Sequence, residues 1–65
     1  MFSENDAKMC DMILADGEII DYEKGVCDGI DCEWYVVTID NHVWHMTKHD
    51  GAWVYIFYSG SYIRG

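Results

Sequence analysis

The sequence predicts an α+β domain: one N-terminal helix packed on an antiparallel β-meander of four to five strands. Three observations lead there. Residues 4–15 carry apolar side chains at helical spacing. Beyond Gly17 the chain turns to β-branched and aromatic runs. Those runs are separated by Asp-Asn and Asp-Gly dipeptides, which suit two-residue hairpins. With 65 residues, 51% of them apolar, the chain reads as one small domain, 1–65, near the lower limit for a self-sufficient core.

The helix comes first. Ser3 is a good N-cap, Asp6 completes an acidic capping box, and Phe2 with Ala7 stands where a hydrophobic staple forms. Ala7, Cys10, Ile13 and Leu14 make the apolar stripe, with Met9 and Met12 at its margins. Gly17 is expected to end the helix in the left-handed conformation. A first strand follows over Glu18–Glu23, expected to break at Lys24-Gly25 into a loop containing Asp28-Gly29. Residues 33–40 are the strongest strand. Asp40-Asn41 then turns the chain into His42–Lys48, and Asp50-Gly51 turns it into Ala52–Tyr58. Ser59-Gly60 leads into a short strand at 61–63.

Counting register through two-residue turns sorts the side chains into two faces. One collects Tyr35, Val37, Ile39, Trp44, Met46, Trp53, Tyr55 and Phe57 and is the expected core. The other collects Trp34, Val36, Thr38, Val43, His45, Thr47, Val54, Ile56 and Tyr58. One helix of about twelve residues covers one face, so the second is expected to meet a protein, since large exposed apolar areas usually mark a contact.

Charge is distributed as unevenly as hydrophobicity. Residues 1–33 hold ten carboxylates against Lys8 and Lys24, while residues 34–65 hold Asp40 and Asp50 against Lys48 and Arg64. The whole net charge of −8 therefore lies in the first half. Such a balance repels phosphate, so neither direct nucleic-acid binding nor an anionic membrane surface is expected. A basic protein surface is the natural complement. The opening Met-Phe-Ser-Glu-Asn-Asp lacks the chemistry of a signal peptide, and three cysteines are an odd number. Both point to a cytoplasmic protein with reduced thiols.

Three kinds of site chemistry can be weighed. Cys27-x4-Cys32-x12-His45-x3-His49 meets the loose spacing of a two-Cys, two-His zinc finger. Its interior does not fit: Val36 and His42 stand where an aromatic and a leucine belong. On a strand, His45 and His49 would lie about 13 Å apart at ~3.3 Å per residue, too far for one zinc. The run Asp28 to Glu33 lacks the twelve-residue calcium loop. No signature surrounds any cysteine or histidine, and so short a chain has little room for a pocket of ~300 Å³. No metal, cofactor or enzymatic activity is expected.

The acidic half carries the functional expectation. Asp16/Glu18 and Asp21/Glu23 are i,i+2 pairs, about 6.6 Å apart on extended chain. Asp28, Asp31 and Glu33 add a further cluster. These seven carboxylates could occupy a Lys/Arg groove built for a duplex, which carries one negative charge per ~1.7 Å of axis. Trp34, Tyr58 and Tyr62 are the expected aromatic anchors, since Trp and Tyr dominate hot spots. In being tiny, acidic, aromatic-rich and without catalytic signature, the chain is similar to phage-encoded inhibitors of host defence. These include anti-restriction and anti-CRISPR proteins that imitate DNA. The resemblance is one of general character and transfers no residue. It implies a non-enzymatic inhibitor of a nucleic-acid-binding host protein. The alternative is an interaction or homodimerisation module working through its apolar sheet face.

Overall fold

The first element is held by its own cap. In helix α1 (Glu4–Asp16), Ser3 Oγ accepts the Asp6 N–H at 3.1 Å and Asp6 Oδ2 accepts the Ser3 N–H at 2.9 Å, closing the expected capping box. Cys10 and Ile13 are buried beneath it, and Phe2, Ala7, Met9 and Leu14 pack around them. The structure is a computed structural model and describes residues 2–61.

Strands β1 (Glu18–Cys27), β2 (Ile30–Ile39), β3 (His42–His49) and β4 (Ala52–Ser61) form one antiparallel sheet in the order β1-β2-β3-β4. Helix α1 lies across one face, over β2 and β4. The protein is thus an α+β helix-on-meander fold, as the sequence predicts. Its core is Cys10 and Ile13 from the helix against Val37, Met46 and Trp53 from three strands. The expected strand at 61–63 begins at Ser61, which ends β4; residues 62 and 63 lie outside the described residues.

All three hairpins close through two residues of positive φ: Asp28-Gly29 (52°, 79°), Asp40-Asn41 (50°, 64°) and Asp50-Gly51 (54°, 82°). These are type I′ turns, whose twist matches that of the paired strands. The first corrects the expected break at Lys24-Gly25. Strand β1 runs on to Cys27, because Asp28-Gly29 is a hairpin turn rather than part of a loop. Gly25 has a different task. A Cβ there would sit 3.2 Å from the Trp34 ring, so the glycine gives the indole a place to lie.

Gly17 needs a second correction. Its φ is −89°, so it is no left-handed cap. It is small because the helix end presses on β2: a Cβ would lie 2.5 Å from Val37 Cγ1 and 2.7 Å from the Ile13 carbonyl oxygen.

The third correction concerns β4. Lys48 pairs with Trp53 but Thr47 pairs with Tyr55, leaving Val54 as an extra residue. A bulge reverses the parity of everything beyond it. Ile56 and Tyr58 therefore face the helix side beside Met46 and Trp44, their cross-strand partners. Tyr55 and Phe57, expected in the core, turn to the opposite face.

A candidate interaction surface

The face turned away from α1 is built by alternation. From β2 it takes Trp34, Val36 and Thr38; from β3 it takes Val43, His45 and Thr47; from β4, through the bulge, Tyr55 and Phe57. Tyr55 and Phe57 are about half exposed, at 49% and 52%. His45 sits between Val36 and Phe57 in the ladder, its ring 6.2 Å from the Phe57 ring. Trp34, Val36, His45, Thr47, Tyr55 and Phe57 line an open concavity of about 370 Å³. No element of the described chain covers this face.

Strand β1 borders it with acid. Asp21 pairs with Val36, Glu23 with Trp34 and Glu18 with Thr38, which places all three carboxylates on the side facing away from the helix. All three are exposed. Asp21 and Glu23 are the i,i+2 pair the sequence predicts, whereas Asp16 and Glu18 are not: Asp16 ends the helix and Glu18 starts the strand. The remaining acids are divided. Asp28 stands at the tip of the first hairpin, and Asp31 shares the helix side of β2 with Glu33. The expected array of seven is thus split between two faces and a hairpin tip, with three members on the uncovered face.

Glu33 in particular is engaged within the fold. Its Oε2 accepts the hydroxyls of Tyr22 and Tyr35, each at 2.8 Å. These bonds, helped by Lys24 and Lys48, lower its pKa, while burial and the same carboxylate push Tyr35 up to about 12. Tyr58 also departs from its expected place. It lies on the helix side, its hydroxyl hydrogen-bonded to His42 Nδ1 at 2.7 Å and its ring 4.9 Å from that of Trp44. Trp34 and Tyr58, on opposite faces, cannot anchor one flat partner together. Tyr62 lies outside the described residues.

The sequence reading missed Tyr55 and Phe57 as surface residues. The only signal was the unbroken apolar run Val54 to Tyr58, which leaves strand parity open. It also missed the bond from Trp53 Nε1 to Asp11 Oδ1 at 2.7 Å, which ties β4 to the helix and takes Asp11 out of the free acids.

As to other chemistries, His45 and His49 share one face of β3, with Cys32 opposite His49. Among the described residues no three His, Cys, Asp or Glu side chains converge as metal ligands would. Burial, then Asp11 and Asp6, pushes the Cys10 thiol up to about 11; burial, then the Cys27 thiol, raises Cys32. Neither is poised as a nucleophile. No helix among the described residues is long and apolar enough to cross a membrane. Comparison with family models, curated proteins and solved structures finds no match to the chain.

Proposed function

We propose that the protein is a non-enzymatic inhibitor that binds a basic, nucleic-acid-binding host protein in the cytoplasm, a phage-type anti-restriction or anti-CRISPR function. The observation that supports it most is the joint make-up of the uncovered face. An aromatic and aliphatic centre, with Tyr55 and Phe57 about half exposed and Trp34, Val36 and His45 partly buried, lies beside a rim of exposed carboxylates, Glu18, Asp21 and Glu23. Apolar centres supply affinity and charged rims supply steering and choice of partner. A partner matching both halves has an apolar spot flanked by Lys and Arg, as grooves that hold nucleic acid do.

The contribution of the rim predicts a salt-sensitive complex. At affinity capture from the native host's lysate at low salt, the bound protein should leave with rising salt or with added duplex DNA. Asp21→Lys/Glu23→Lys should retain the fold, since both side chains are exposed, and weaken capture at least about tenfold, equal to ~1.4 kcal/mol. A partner that stays bound in ~1 M salt, where the Debye length is about 3 Å, and that ignores this charge reversal would overturn the acidic reading. It would transfer the function to the aromatic centre.

A further inference from the structure

We propose that the outer edge of β1 is a docking site for one extended segment of a protein partner, a strand whose side chains alternate basic, apolar, basic. This rests on the reading that the partner is basic, and it adds the mode by which such a partner would be held.

Among the described residues both edges of the sheet are open, but they are not alike. Strand β4 is interrupted by bulges at Val54 and Ser59 and carries Gly60 at φ 105°. Bulges of this kind blunt an edge against further pairing. Strand β1 has one irregularity, at Ile20, and then seven regularly paired residues, Asp21 to Cys27. An unbulged edge strand with no proline is a template for another strand.

The hairpin turn decides which backbone groups point outward. In a two-residue hairpin the flanking pair, Cys27 and Ile30, exchanges hydrogen bonds, and along the ladder inward and outward residues alternate. Cys27, Gly25, Glu23 and Asp21 therefore spend their N–H and C=O groups on β2. Val26, Lys24 and Tyr22 turn theirs away from the sheet. Two contacts agree with this count. The Asp31 carbonyl, opposite Val26, points away from β1 and accepts the Asp50 N–H at 2.8 Å. The Tyr22 N–H is taken by Asp21 Oδ1 at 2.9 Å, the role a carbonyl of an added strand would play. The N–H groups of Lys24 and Val26 stand ready for an incoming strand.

Side chains specify what that strand should carry. Asp21 and Glu23 project to one face, while Tyr22 and Val26, 45% and 65% exposed, project to the other, where the helix does not cover them. An antiparallel partner thus needs cations opposite Asp21 and Glu23, apolar residues opposite Tyr22 and Val26, and an acid opposite Lys24. A second copy of β1 fails this test, because the residues it can set opposite Asp21 and Glu23 are Asp21, Glu23, Gly25 and Cys27, none of them a cation.

The probe is the synthetic heptapeptide Val-Thr-Glu-Lys-Val-Arg-Thr, titrated into the ¹⁵N-labelled full chain, with the charge-swapped Val-Thr-Lys-Glu-Val-Asp-Thr as control. Binding should slow amide exchange at Lys24 and Val26 at least tenfold, and the control should not bind. Val26→Pro removes one outward donor and no ladder bond, a substitution edge strands tolerate; it should weaken the probe at least tenfold. Asp21→Lys/Glu23→Lys should do likewise by charge. Failure of the probe to bind, binding without added protection at Lys24 and Val26, or undiminished binding to Val26→Pro would each overturn the edge site. If Val26→Pro also retains a salt- and DNA-sensitive host partner, the inhibitor reading survives and only the edge mode falls.

Discussion

Glu33 shows how one side chain changes meaning once its neighbours are known. Its place in a run of carboxylates suggests a free acid, yet two tyrosine hydroxyls 2.8 Å away make it an internal acceptor. Neither Tyr22, eleven residues earlier, nor Tyr35, two residues later, could be assigned to it without the register of β1 on β2. The cluster has a pH signature. Glu33's folded pKa is lowered, so its contribution is present above the ordinary carboxylate range and is lost as pH falls through the folded value. Tyr35 behaves oppositely. Its pKa rises from 10.0 to about 12, so its contribution is complete below pH 10 and lost as pH climbs through about 12. Because the site is partly exposed, water screens that contribution to roughly 1 kcal/mol. Thermal midpoints measured from pH 8 to 12 should fall across the upper part of that range. Tyr35→Phe should flatten the fall by about 5 °C. An unchanged alkaline limb in the variant would show that Glu33 does not hold this hydroxyl.

At the level of elements, the N-cap and two of the three hairpin turns were legible, while the Gly17 cap, the Asp28-Gly29 hairpin and strand parity were not. The capping box and the turns at Asp40-Asn41 and Asp50-Gly51 follow from local residues alone, because few dipeptides accept two positive φ angles. Helix residues 4–15 match α1 to within one position for the same reason. The bulge at Val54 has no such local signature, since its residues are apolar on every side, and it moved Tyr55 and Phe57 from expected core to exposed surface. The compensation is that Trp53, just before the bulge, stays on the helix side. There its Nε1–H reaches Asp11 while Lys48 Nζ sits 4.7 Å above its ring. Helix docking therefore has a polar tie as well as an apolar core. Trp53→Phe preserves most of the ring burial and removes the donor, so urea unfolding should report a loss of about 1–2 kcal/mol. Asp11→Asn should cost less, and the double variant should lose no more than Trp53→Phe alone. Full additivity would mean that the 2.7 Å bond contributes nothing to holding the helix.

For the molecule as a whole, the proposed reading requires that the uncovered aromatic face not be filled by its own copy at low salt, and charge is what would oppose that pairing. Each chain carries −8, and two copies pairing by this face would hold two such charges, each with a β1 rim of Glu18, Asp21 and Glu23, in one small complex. Repulsion between such rims acts over the Debye length, about 10 Å at 0.1 M salt and about 3 Å at 1 M, whereas apolar attraction is not screened. Salt should then act in opposite directions on the two occupants. A basic partner should bind more weakly as salt rises, and self-association should grow. Sedimentation equilibrium is expected to find a monomer at low salt and a reversible dimer near 1 M. Phe57→Asp should abolish that dimer by setting a carboxylate at the centre of the contact. A dimer already formed at low salt and indifferent to added salt would make a second copy the resident of this face. The acids of β1 would then be solubilising groups rather than a recognition surface.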